Sequence, residues 1–152
     1  MASEEYDKLV VLEVPIYHIE FLGGYLLVAG AGGGKKYGVR NYFMSFKIKN
    51  SLISKEPSNK IEFSTEIPYY IKAVPLNLTC ILCLNDYINV YSLDNNNGNL
   101  TQISTIKILD YSTPDIYLSV FSLDFDINNP SYKNNKNKIE LAASGNTEGL
   151  IK

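Results

Sequence analysis

Between residues 42 and 49 apolar and polar side chains alternate, with Tyr42, Met44, Phe46 and Ile48 on one side and Ser45, Lys47 and Lys49 on the other. A period of two belongs to a β-strand with one face against a core and the other in water. Shorter apolar or alternating runs predict strands at residues 9–14, 16–21, 25–30, 60–65, 69–74, 79–84, 87–93, 102–109, 117–125 and 139–144. No segment carries the i, i+3, i+4 stripe of an amphipathic helix. The pattern therefore predicts an all-β protein.

The strands recur in a fixed order: a first strand, a short continuous apolar strand, a turn, an alternating strand and an outer strand. The repeat is roughly 40 to 50 residues, the spacing of β-propeller blades. Blade one is expected over residues 16–67, blade two over 69–109 and a partial blade three over 117–152. The stretch 141–152, LAASGNTEGLIK, resembles the middle of a WD-repeat blade, where two strands meet at a tight polar turn. A closed ring needs at least about four blades of four strands, so the expected architecture is an incomplete WD-repeat β-propeller of about three antiparallel four-stranded blades. Such an arc is the N-terminal part of a longer ring, and its open flank and edges invite association. Two polar stretches interrupt the repeat. Residues 94–99, DNNNGN, suit a hairpin, and residues 128–138, NNPSYKNNKNK, read as a mobile low-complexity insert.

Composition agrees with a folded pleated body, since 45% of residues are hydrophobic and Tyr and Phe number 12 and 6. A formal net charge of -2 provides no broad basic field for a phosphate backbone or an anionic membrane, and nucleic acid is not an expected partner. No run approaches the roughly 20 apolar residues of a membrane span, so the segment reads as soluble and cytosol-facing. Cys80 and Cys83 form one Cys-x-x-Cys in an apolar run, on a strand that would turn them to opposite sides. With His18 as the one imidazole, a zinc site lacks ligands, and buried thiols are expected. No hydrolase or transferase constellation assembles around His18, which reads as a packed strand residue.

The most unusual segment runs Gly30-Ala31-Gly32-Gly33-Gly34-Lys35-Lys36-Tyr37-Gly38-Val39-Arg40-Asn41, with five glycines in nine residues. Glycine admits close approach of another molecule to the main chain. A Walker loop is excluded by spacing, because Lys36 follows Gly34-Lys35 where Ser or Thr is required. The dinucleotide fingerprint fails as well, its third glycine falling on Lys35 or Tyr37. Both motifs must also open a helix, whereas an alternating strand follows here.

Val14-Pro15-Ile16-Tyr17, then Leu26-Leu27-Val28-Ala29-Gly30-Ala31-Gly32-Gly33-Gly34, then Lys36-Tyr37-Gly38-Val39-Arg40-Asn41 resembles the first blade of a family of guanine-nucleotide exchange factors. These are the ER-membrane proteins, including the prolactin regulatory element-binding protein, that activate the Sar-type small GTPase of COPII budding. The likeness covers mainly the first third of the chain, with generic WD-repeat similarity beyond it. Ala31 stands at the second of the family's four glycines, and Arg40 where proline is common.

The resemblance implies a loop that projects from the propeller and wedges against the nucleotide pocket of a Sar-type GTPase. It implies Asn41, with Gly38 and Val39, as the exchange element. Lys35, Lys36, Tyr37 and Arg40 are the expected partner-binding residues. It further implies a potassium ion held by main-chain carbonyls of Gly30, Gly32, Gly33 and Gly34, a membrane anchor downstream in the parent protein, and a place on the cytosolic face of the endoplasmic reticulum in ER-to-Golgi transport. The Asn41 amide both donates and accepts, so it can tie the loop to the blade or reach the GTPase. The rival expectation is a WD-repeat scaffold for protein–protein interaction without exchange activity.

Overall fold

The structure, a computed structural model, describes residues 5–34, 38–85, 87–107, 118–119 and 145–146. Its strands are β1 (Tyr6–Asp7), β2 (Ile16–Leu22), β3 (Tyr25–Gly34), β4 (Val39–Lys49), β5 (Leu52–Ser54), β6 (Asn59–Phe63), β7 (Tyr70–Val74), β8 (Thr79–Cys83), β9 (Tyr87–Leu93), β10 (Leu100–Lys107), β11 (Leu118–Ser119) and β12 (Gly145–Asn146). They build an all-β fold in which every paired strand is antiparallel. β2, β3, β4 and β6 form one up-and-down meander, and β5 and β1 branch from the far end of β4. A second four-stranded meander follows in the order β7, β8, β9, β10, and β11 pairs with β12. No helix among the described residues is long and apolar enough to cross a membrane.

The two meanders share a core made by one face of each. Leu27, Ala29 and Phe43 from the first sheet meet Ile71, Cys80, Leu82 and Tyr91 from the second. The rings of Phe43 and Tyr91 lie 5.2 Å apart at an angle of 59°, a tilted packing that suits the aromatic quadrupole. The first strands of the two meanders adjoin. There the Ile71 N–H donates to Nδ1 of His18 at 3.2 Å, and the His18 and Tyr70 rings lie 4.4 Å apart. His18 is thus a packed, hydrogen-bonded strand residue, as its position in an alternating run suggests. Burial, with Lys72 acting the same way and Glu20 against it, holds its pKa below the ordinary 6.5.

Two expectations need correction. The strand at 42–49 begins earlier, at Val39, and its second face is in water only towards its end: Asn41, Phe43 and Ser45 are each fully buried, Lys47 is half-buried and Lys49 is exposed. The second sheet covers that side, so its polar positions are filled by groups that find partners. Ser45 Oγ, for example, donates to the Gly98 carbonyl at 2.6 Å. Residues 9–14 form no strand. Val10, Leu12 and Val14 instead pack on the opposite face of the first sheet, against Val28, Met44 and Phe46. A segment laid across a sheet face alternates in sequence just as a hydrogen-bonded strand does, which is why the pattern misled. Apart from β11 and β12, the third expected blade (117–152) and the insert at 128–138 lie outside the described residues.

Candidate functional site at the glycine-rich strand end

The glycine run is mostly strand. β3 continues through Gly34 and β4 begins at Val39, leaving residues 35–38 as the connection. Of these, Lys35, Lys36 and Tyr37 lie outside the described residues, and Gly38 adopts φ 73°, the left-handed region that glycine enters without steric cost. Glycine has little intrinsic strand preference, but β4 supplies a ladder: Gly30 pairs with Tyr42, Ala31 with Asn41 and Gly34 with Val39. Between the last two pairs the register shifts, so Gly32 and Gly33 on β3 face Arg40 on β4. That is a β-bulge, which bends a strand and increases its twist.

Two of the glycines are required by close approach. A Cβ on Gly32 would collide with the side chain of Val39, and one on Gly30 would sit 2.7 Å from Val14 Cγ2 and 3.0 Å from the Pro15 carbonyl. The same Pro15 carbonyl accepts a hydrogen bond from Ala31 N–H at 3.0 Å. The N-terminal segment therefore grips β3 just before the bulge.

Asn41 holds the bulge from the other side. It is fully buried; its Oδ1 accepts from Gly32 N–H at 3.2 Å, and its Nδ2 donates to the Glu66 carbonyl at 2.9 Å. Of the two roles open to this amide, the geometry shows the tie between loop and sheet. Arg40 lies on the surface with its guanidinium hydrogen-bonded to the Glu62 carboxylate; that hydrogen bond, then the Glu62 charge, raises its pKa. Val39 covers Gly32 and packs with the cluster formed by Val28 and Met44.

A potassium cage requires carbonyls that converge on one point. Along an extended strand successive carbonyls point to opposite edges, so the paired part of the run at Gly30 and Ala31 does not converge. Among the described residues the bulge at Gly32 and Gly33 is where the backbone departs from the ladder, and an ion would have to be held there. The helix that an anion cradle needs is absent at this point, because the connection leads into β4.

The remaining candidates lie elsewhere. Cys80 faces the shared core and Cys83 the opposite side of its sheet, both buried and unbonded, and burial pushes each thiol up to about 12, leaving it protonated and unreactive at neutral pH. Among the described residues no cluster of three or more His, Cys, Asp or Glu could hold a metal ion. A cavity of about 240 Å³ lies beneath the N-terminal segment, between Leu12, Val14, Tyr42, Met44, Phe46 and Lys60, on the face of the sheet away from Asn41. Sequence reasoning missed the partner of Asn41: the segment between β6 and β7 carries no motif, and Asn85 looks like an ordinary turn residue. No protein-family model matches the chain, and no curated protein aligns with it significantly.

Proposed function

We propose that the two meanders are adjacent blades of a WD-repeat β-propeller, and that the chain promotes guanine-nucleotide exchange on a Sar-type small GTPase to start COPII coat assembly. The end of the β3–β4 hairpin is the contacting element. The observation that carries this reading is the glycine bulge clamped by buried Asn41 at the end of an overlong hairpin, within the segment whose residues resemble the exchange-factor family. An ordinary blade hairpin needs neither the extra residues nor a buried amide to brace them. The chain works at the cytosolic face of the endoplasmic reticulum, with a membrane anchor elsewhere in the parent protein.

Exchange of this kind needs no nucleophile or general base. A protein that binds the nucleotide-free GTPase more tightly than the loaded one lowers nucleotide affinity by the same factor. Each tenfold step corresponds to about 1.4 kcal/mol of differential binding. A braced hairpin end delivers that difference better than a floppy one, because less conformational entropy is lost on docking. Asn41 then acts by presenting Gly38 and its neighbours, with Lys35, Lys36, Tyr37 and Arg40 meeting the partner. Potassium, if it binds, sits at the Gly32–Gly33 bulge and stiffens it further.

The second reading is a WD-repeat scaffold without exchange activity. It is favoured by Gly30 and Gly32, which packing against Val14 and Val39 explains without any partner, and by the commitment of Arg40 to Glu62. A nucleotide-release assay on a Sar-type GTPase separates the two, using the full-length protein and its Asn41→Ala variant in potassium and in sodium. Exchange predicts acceleration that Asn41→Ala abolishes, and no acceleration by the unaltered protein leaves the scaffold. Equal rates in the two salts remove only the ion.

A further inference from the structure

The Glu66 carbonyl that accepts from Asn41 and the Ile67 N–H belong to one peptide group. That N–H donates to Asn85 Oδ1 at 3.1 Å. Asn85 occupies the β8–β9 turn of the second sheet, closed by a hydrogen bond from Leu84 N–H to the Tyr87 carbonyl at 2.8 Å. Two asparagines, one from each sheet, therefore grip opposite ends of a single peptide plane. The next residue, Pro68, is buried and confines Ile67 to extended backbone, which limits how that plane can turn.

The four groups are aligned head to tail. Gly32 N–H donates to Asn41, Asn41 donates to the Glu66 carbonyl, and the N–H of the same peptide donates to Asn85. Each amide in such a row is polarised by its neighbours, so each bond strengthens the next. Removing the last acceptor weakens the carbonyl at the other end of the peptide as an acceptor, and so weakens Asn41's hold on Gly32. We propose that Asn85 is a positioning residue for the glycine bulge of the first sheet, acting through the Glu66–Ile67 peptide and Asn41. The consequence for exchange rests on the function proposed above; the hydrogen-bond chain does not.

The two asparagines have different chemical requirements. Asn85 serves only as an acceptor in this chain, so Asn85→Asp preserves its role. Asn41 must accept and donate, so Asn41→Asp keeps the bond from Gly32 but sets a carboxylate against the Glu66 carbonyl. Amide hydrogen exchange of the full-length chain, read at Gly32 and Ile67, tests the proposal. Asn85→Ala is expected to speed exchange at Gly32 by about fivefold, Asn85→Asp to restore it, and Asn41→Ala to speed exchange at Ile67, an amide it does not touch. An unchanged Gly32 rate in Asn85→Ala overturns the proposal. Should that variant not fold, an unchanged Ile67 rate in Asn41→Ala overturns it equally. Nucleotide release measured on the same variants reports separately on function: absence of acceleration by the unaltered protein removes the exchange reading and leaves the amide result standing.

Discussion

The second and third strands of each meander are joined by a hairpin, and the two hairpins end differently. In the second sheet, β8 and β9 have five and seven residues, and the turn closes directly after the last ladder pair with no glycine. In the first sheet, β3 and β4 have ten and eleven residues. The hairpin overshoots the core, bulges at Gly32 and Gly33, and is braced by a buried asparagine. Both hairpins contribute alike to the core, through Leu27 and Phe43 in one and Leu82 and Tyr91 in the other. The difference lies wholly beyond it. Packing accounts for the short hairpin and, in the long one, for Gly30 and Gly32; residues that packing does not require are the ones available for recognition.

The largest effect is expected where the two hairpins meet. Phe43→Ala removes a fully buried ring from the face shared with Tyr91 and should cost about 3–5 kcal/mol, read as a lower denaturant midpoint with a single transition. A smaller cost, or two separate transitions, would break the view of the meanders as one cooperative core. Gly32→Ala drives a methyl into Val39 and should cost about 1–3 kcal/mol. Most of that should return in the Gly32→Ala, Val39→Ala double variant, which a thermal melt would show as a recovered Tm. Asn41→Ala leaves Gly32 N–H and the Glu66 carbonyl without a bond that the buried amide supplied, and about 1–3 kcal/mol is expected. The comparison is sharpest here, because the equivalent ladder position of the second hairpin also holds a buried asparagine, Asn89, but its amide bonds the side chains of Tyr91 and Thr105 and not the backbone of its own hairpin.

A weaker effect follows from His18, whose Nδ1 must be unprotonated to accept from Ile71. Its folded pKa lies below 6.5, so the unfolded chain binds the proton more readily. Its contribution is fully present above pH 6.5 and lost as the pH falls through the lowered value. Stability measured from pH 7.5 down to 5 should decline, and the decline should shrink in His18→Gln. Arg40→Ala stands last, since its ion pair is exposed to solvent, and no measurable shift of the unfolding midpoint is expected.

Much of the fold is legible in the sequence because strand alternation records burial. The strand at Tyr87–Leu93 has the bounds its pattern predicts, and β2, β7 and β8 differ by one residue at an end. Three features are not legible, each for a physical reason. Gly30 to Gly34 carry no side chains to alternate, so a strand there depends on a partner that only the fold supplies. Residues 9–14 alternate because they lie across a sheet, which leaves the same imprint as lying within one. The inner face of β4 mixes Asn41, Phe43 and Ser45, and its polar members look solvated until the second sheet is seen to cover them. At the candidate site, Asn41 was legible only through the family resemblance, which points to the residue without giving its partners. Its connection to Asn85 was not, since it passes through main-chain atoms that any residue would provide.

The claim at the centre is that the braced end of the β3–β4 hairpin prefers a G protein without its nucleotide. Affinity of the full-length protein for a Sar-type GTPase, measured nucleotide-free and loaded, tests it most directly. The nucleotide-free form should bind at least about tenfold more tightly, a difference of about 1.4 kcal/mol, and Asn41→Ala should erase the preference. Equal affinity for the two forms, or a preference that survives Asn41→Ala undiminished, would contradict it.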